Sequence, residues 1–128
     1  MSTRFLIFPL VLDELQLLTI QQVRLSLLSV NYDYVSSSIV SDHTVGYHVG
    51  QSIIDLSTVR FNSGIRQCKT NSYTLNMALL KLELARSLTN HPALHNYSEV
   101  VEIIDRNIKI LSQLLEEAFA CYEREDFG

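Results

Sequence analysis

The sequence predicts a mainly α protein, a single-domain bundle of about four helices over residues 1–128 with a short N-terminal strand or hairpin added to it. Apolar residues recur at helical spacing through the second half of the chain. Breakers are few, with four glycines and two prolines against 47% hydrophobic residues. Asn96, with Glu99 three residues on, reads as an N-cap and capping-box pair opening a long apolar-patterned run. The competing architecture is α+β, with strands in 3–9 and 30–60.

In chain order, residues 3–9 are short, aromatic and β-branched and close on Pro9, which suits an edge strand or an extended arm. From Val11 to Val30, apolar residues at Val11, Leu15, Leu18 and Leu25, flanked by Leu17, Ile20, Val23 and Leu27, predict a helix with a broad buried face. Asp13 and Glu14 favour its first turn through the macrodipole. "NYDYVSSSIV", residues 31–40, is rich in Tyr, Ser and Val and reads as a loop or short strand. In the next segment Val45, Val49, Ser52, Leu56 and Val59 recur at helical spacing behind a Ser41 or Asp42 cap, while Val45, Tyr47 and Val49 also alternate as in a strand. Gly46 and Gly50 each cost a helix about 1 kcal/mol relative to Ala. Their four-residue spacing places both on one face, where a second helix could approach closely. The alternative is a hairpin turning at Ser41-Asp42-His43.

Residues 72–89 carry Leu75, Leu79 and Leu82 on one stripe and Leu80, Leu84 and Leu88 on a second, after an Asn71 or Ser72 cap, and predict a helix. A last helix is predicted over 97–124. Along it Val101, Ile104, Ile108, Leu111, Leu115, Ala118 and Tyr122 step as a heptad, with Val100, Ile103, Ile110 and Leu114 beside them. At 1.5 Å per residue that helix is ~42 Å long, whereas a compact chain of this size is roughly 36 Å across. Its apolar face therefore outlasts one core. A homodimer through Val101, Ile104, Ile108, Leu111, Leu115 and Tyr122 is the economical expectation, and the central helix of a four-helix core is the other.

Charge is placed unevenly. Residues 99–126 hold eight acids against three bases, and residues 1–98 six acids against seven bases, for a net of −4 overall. Direct DNA binding by the acidic end is not expected, since phosphate contacts need clustered Lys and Arg. Cys68 and Cys121 stand far apart without C-x-x-C spacing, which fits reduced thiols in a cytoplasmic protein. The apolar run Phe5–Leu12 is short and is followed by Asp13-Glu14, unlike a signal peptide, and no stretch approaches the ~18 apolar residues of a membrane span. His91 and His95 lack a third ligand at metal-site spacing, and His43 and His48, five apart, fall on different helix faces. There is no Gly-rich phosphate loop or nucleophile elbow, so neither a metal nor a cofactor is expected.

Arg86 and His91, in "RSLTNH" ahead of the helical "SEVVEII", follow an R-x4-H spacing. This resembles the signature of HEPN-domain ribonucleases, small all-helical dimers that cleave RNA without metal through an arginine and a histidine near a helix junction. The resemblance implies catalytic roles for Arg86 and His91, with Ser87 standing where the family usually carries Asn or another polar residue. The structural alternative is that Arg86 binds the last turn of its helix and acids such as Glu83, and that His91-Pro92 ends the connection.

Glu116, Glu117, Glu123, Glu125 and Asp126 crowd the C-terminal end of the last predicted helix, where the macrodipole disfavours negative charge. A local rule broken without compensation points to function. The expectation is a non-enzymatic interaction module, a regulator or inhibitor whose acidic end meets a basic protein partner. A HEPN-like ribonuclease is the second expectation.

Overall fold

Four helices and two short strands follow one another in a computed structural model that describes residues 9–61, 64–90 and 98–120. Strand β1 (Leu10–Val11) leads into α1 (Glu14–Val35), and α2 (Val40–Ser57), α3 (Ile65–Leu88), α4 (Ser98–Glu117) and β2 (Phe119–Ala120) follow. The helical bundle expected from the sequence is the one observed. The α+β alternative fails over 30–60, which is helical across 14–35 and 40–57, and the hairpin at Ser41-Asp42-His43 is the first turn of α2.

Asp13 opens α1 with a reciprocal capping box: its Oδ1 accepts from Gln16 N–H at 2.7 Å, and Gln16 Oε1 accepts from Asp13 N–H at 3.0 Å. The helix starts three residues later than expected because Leu10 and Val11 are paired in β1. It also runs on through residues 31–35, read above as loop or strand. The inward stripe Ile20, Val23, Leu27, Val30 continues at helical spacing to Tyr34, whose side chain is fully buried and holds the extra turn in place.

Helix α2 packs antiparallel on α1 at the two glycines. A Cβ on Gly46 would lie 2.9 Å from Val35 Cγ2 and 3.0 Å from Val35 N, and one on Gly50 would lie 3.3 Å from Asn31 Nδ2. The Asn31 amide also donates to the Gly46 carbonyl across this contact. Asp42 sits in the first turn of α2, not at its cap, and accepts a hydrogen bond from the Ser37 hydroxyl. Val45, Val49, Ser52, Leu56 and Val59 face the core as their spacing predicts.

Helix α3 begins at Ile65, nearly two turns before the expected cap. Asn71 and Ser72 are buried inside the helix and do not cap it. Its C-terminal half sends Leu75, Leu79 and Leu82 into the core, and Lys81 Nζ reaches Asp55 Oδ2 of α2 at 2.7 Å.

Helix α4 lies across α1 and α3, completing a ring in which each helix touches its neighbours. Buried Asn107 donates to Ser26 Oγ of α1 at 3.0 Å. The helix ends at Glu117, not at 124. The chain turns at Ala118 and pairs β2 antiparallel with β1, Leu10 opposite Ala120 and Val11 opposite Phe119. Among the described residues no helix is long and apolar enough to cross a membrane.

Candidate protein-interaction surface

Helix α1 is apolar on both sides. Ile20, Val23, Leu27, Val30 and Tyr34 point inward and are at most 1% exposed. On the opposite side Leu15, Leu18, Leu25, Leu28, Tyr32 and Val35 stand in solvent, with Leu15 at 71%, Leu25 at 68% and Tyr32 at 75% exposure. The outward residues between them, Gln21, Gln22 and Ser29, are exposed and uncharged. Leu15, Leu18 and Leu25, taken above as part of the buried face, are therefore the outward set. Of the residues flanking them, the helix buries Ile20, Val23 and Leu27 and half-buries Leu17. A surface helix normally turns a polar face to water, and this face of α1 is an exception to that rule.

Other outward apolar residues are sparser. Helix α2 shows Val40, Tyr47 and Ile54 one per two turns, beside exposed His43. Helix α3 shows Tyr73, Leu80 and Leu84 together with exposed Arg66 and Lys69.

Helix α4 behaves in the opposite way. Its outward residues Glu99, Glu102, Asp105, Arg106, Lys109, Glu116 and Glu117 are exposed, an ordinary solvated face. Of the residues expected at a dimer interface, Ile104 and Leu111 are fully buried in the core of their own chain. Ile108 and Leu115 are partly buried and packed against that core, Val101 is half-buried, and Tyr122 lies outside the described residues. The heptad stripe is thus absorbed largely by α1 and α3 of the same chain, because a four-sided bundle covers more of α4 than its length alone suggests.

Glu116 and Glu117 are exposed at the C-terminus of α4, where the last turn holds no basic residue. Glu123, Glu125 and Asp126, the rest of the expected partner-binding set, lie outside the described residues. A shallow, open hollow on α4 is lined by Ser98, Glu99, Val101, Glu102 and Asp105.

Arg86 acts as a strut. Its Nε donates to Asp105 Oδ1 of α4 at 2.8 Å, and its Nη1 donates to Thr89 Oγ1 at 2.8 Å and Asn90 Oδ1 at 3.4 Å. The guanidinium therefore braces the end of α3 against α4, with Asp105 as the acid where the spacing pointed to Glu83. His91 and His95 lie outside the described residues. On α2, His48 meets the ring of Tyr47 edge-on at 5.5 Å while His43 is exposed. Among the described residues no three His, Cys, Asp or Glu side chains gather at metal-binding distances. Cys68 is buried in α3 as a thiol, and Cys121 lies outside the described residues.

Comparison of the chain with known protein families, with characterised proteins and with solved structures returned no match.

The outward stripe of α1 left a trace in the sequence. Two apolar sets half a turn apart within one helix, Leu18-Leu25-Tyr32 and Val23-Val30, cannot both face one core. Periodicity alone does not say which set wins.

Proposed function

We propose that this protein is a non-catalytic interaction module whose contact surface is the outward face of α1. One observation carries the reading: six large apolar side chains, interspersed on that face with uncharged Gln21, Gln22 and Ser29, stand exposed along a helix whose opposite side already fills the core. Contiguous apolar surface of this kind marks association sites, because water released from it supplies free energy that a scattered apolar residue cannot. The regulatory or inhibitory role expected from the sequence would act through this face. Glu116 and Glu117, exposed at the end of α4 where the last helical turn holds no basic residue, are a second place where a basic partner would gain from charge.

A photo-crosslinking residue placed at position 25 and, separately, at position 102 tests the reading in the cell. Exposed Leu25 lies on the α1 face and exposed Glu102 on the acidic face of α4. A discrete adduct is expected from position 25 and none from position 102. An adduct from position 102 alone, or from neither, overturns α1 as the contact surface.

A further inference from the structure

We infer that the occupant of the α1 face is the same face of a second copy of this chain, packed antiparallel about a two-fold axis. The inference rests on reading that face as the contact surface, and three features of it select a second copy.

Spacing comes first. Leu18, Leu25 and Tyr32 recur every seventh residue, and Gln21, Leu28 and Val35 do so three residues behind them, the a and d positions of a heptad. A heptad seam accepts another helix as knobs into holes, not a flat or irregular surface. The seam also reads onto itself in reverse. In an antiparallel pair whose axis passes between Ser26 and Leu27, Leu18 meets the second copy's Val35, Leu25 meets its Leu28, and Gln21 meets its Tyr32. The same contacts repeat on the other side of the axis. Every layer is apolar except the two Gln-Tyr layers, where the phenol and amide can pair. Such self-complementarity is what an isologous interface requires.

Charge is the second feature. The exposed residues of the seam are themselves uncharged, and Arg24, which flanks them, donates from Nη1 to Gln21 Oε1 at 2.7 Å. A partner of different sequence would find only the Arg24 guanidinium, already engaged by Gln21, to fix its identity by electrostatics. A copy needs no such complement.

Area is the third. The five apolar side chains of the paired layers, Leu18, Leu25, Leu28, Tyr32 and Val35, are between 48% and 75% exposed. At typical side-chain areas they present on the order of 350 Å². Two copies would together remove up to about 700 Å², at the lower edge of the roughly 700–1,300 Å² of apolar area found in interfaces of standard size.

The register gives a charge-swap test on purified protein. Wild type is expected at twice 14.6 kDa by light scattering at micromolar concentration. Leu25→Glu alone and Leu28→Lys alone are each expected at 14.6 kDa with an unchanged helical circular dichroism spectrum, because both positions are exposed in the single chain. Mixing equal amounts of these two variants restores the doubled mass, since the introduced carboxylate and ammonium fall opposite each other while the other central layer stays Leu on Leu. Mixing Leu25→Glu with Leu25→Lys does not restore it. The pair Leu18→Glu and Val35→Lys repeats the test in the outer layers should a central variant misfold, with an unchanged circular dichroism spectrum required of Val35→Lys because Val35 also packs at Gly46 of α2. A doubled mass that survives Leu25→Glu, or equal recovery from both mixtures, overturns the antiparallel seam. A monomeric wild type that still crosslinks to another protein through position 25 overturns the second copy and leaves the contact surface standing.

Discussion

The side-chain amide of Asn71 clasps the backbone of Arg60 from both sides: its Oδ1 accepts from Arg60 N–H at 3.1 Å, and its Nδ2 donates to the Arg60 carbonyl at 2.8 Å. Gln67 Nε2 adds a third bond to Oδ1 at 2.7 Å. A fully buried Asn in the middle of a helix is tolerated because it satisfies the chain that returns from α2. Replacing Asn71 with Ala should lower stability by roughly 1–3 kcal/mol, the cost of leaving buried polar groups unpaired. A shift in the urea midpoint with unchanged slope checks this, and Asn71→Asp, which keeps the acceptor and loses the donor, should not rescue it.

The two glycines of α2 should respond differently to Ala. At Gly46 the new methyl would press on the Val35 backbone N as well as its side chain, so α1 must move, and a loss of about 1–3 kcal/mol is expected. At Gly50 the obstacle is the Asn31 amide at 3.3 Å, which can yield slightly. The helix propensity gained there, about 1 kcal/mol, should leave Gly50→Ala neutral or stabilising. Thermal melts of the two variants side by side decide the matter.

Arg86 should matter for stability and not for RNA. Removing its bonds to Asp105, Thr89 and Asn90 by Arg86→Ala should cost about 1 kcal/mol, the scale of a partly exposed ion pair with added hydrogen bonds. Arg86→Lys should recover little, because an ammonium cannot reach several acceptors as a planar fork does. Labelled RNA incubated with wild type should remain intact. Cleavage that disappears with Arg86→Ala would instead favour the ribonuclease reading.

Leu25 and Leu111 should part company under the same substitution. Leu111 is fully buried, so Leu111→Ala should cost about 2–5 kcal/mol through lost contacts and a cavity. Leu25, 68% exposed in the single chain, should lose less than about 0.5 kcal/mol of monomer stability. Unfolding at concentrations low enough to dissociate any dimer separates the two.

Much of the bundle was legible in periodicity, and the misreadings have common causes. Helix α2 was readable because Val45, Val49, Ser52, Leu56 and Val59 form one stripe against a polar remainder, with Gly46 and Gly50 marking the close contact. Helix α1 misled because it is apolar on two sides, so spacing identifies a helix without identifying its inward face. At α3, Asn71 and Ser72 look like caps by residue type, and only the distant Arg60 backbone explains why they are interior. The end of α4 was overrun because the heptad continues through Ala118 and Tyr122. What stops the helix is the pairing of Phe119–Ala120 with Leu10–Val11, a contact across almost the whole chain that local pattern does not contain. The same gap hides how much of the α4 stripe its own chain covers, Ile104 and Leu111 fully and Val101, Ile108 and Leu115 in part.

The salt dependence of self-association tests the central claim most directly, because burial of the uncharged α1 face forms no ion pairs for salt to screen. Sedimentation equilibrium from low to high sodium chloride should give a dimer whose dissociation constant is unchanged or falls, as expected for burial of apolar surface without ion pairs. A dimer that forms at low salt and dissociates as salt rises, or no dimer at any salt, would contradict the assignment of the contact surface to Leu18, Leu25, Leu28, Tyr32 and Val35.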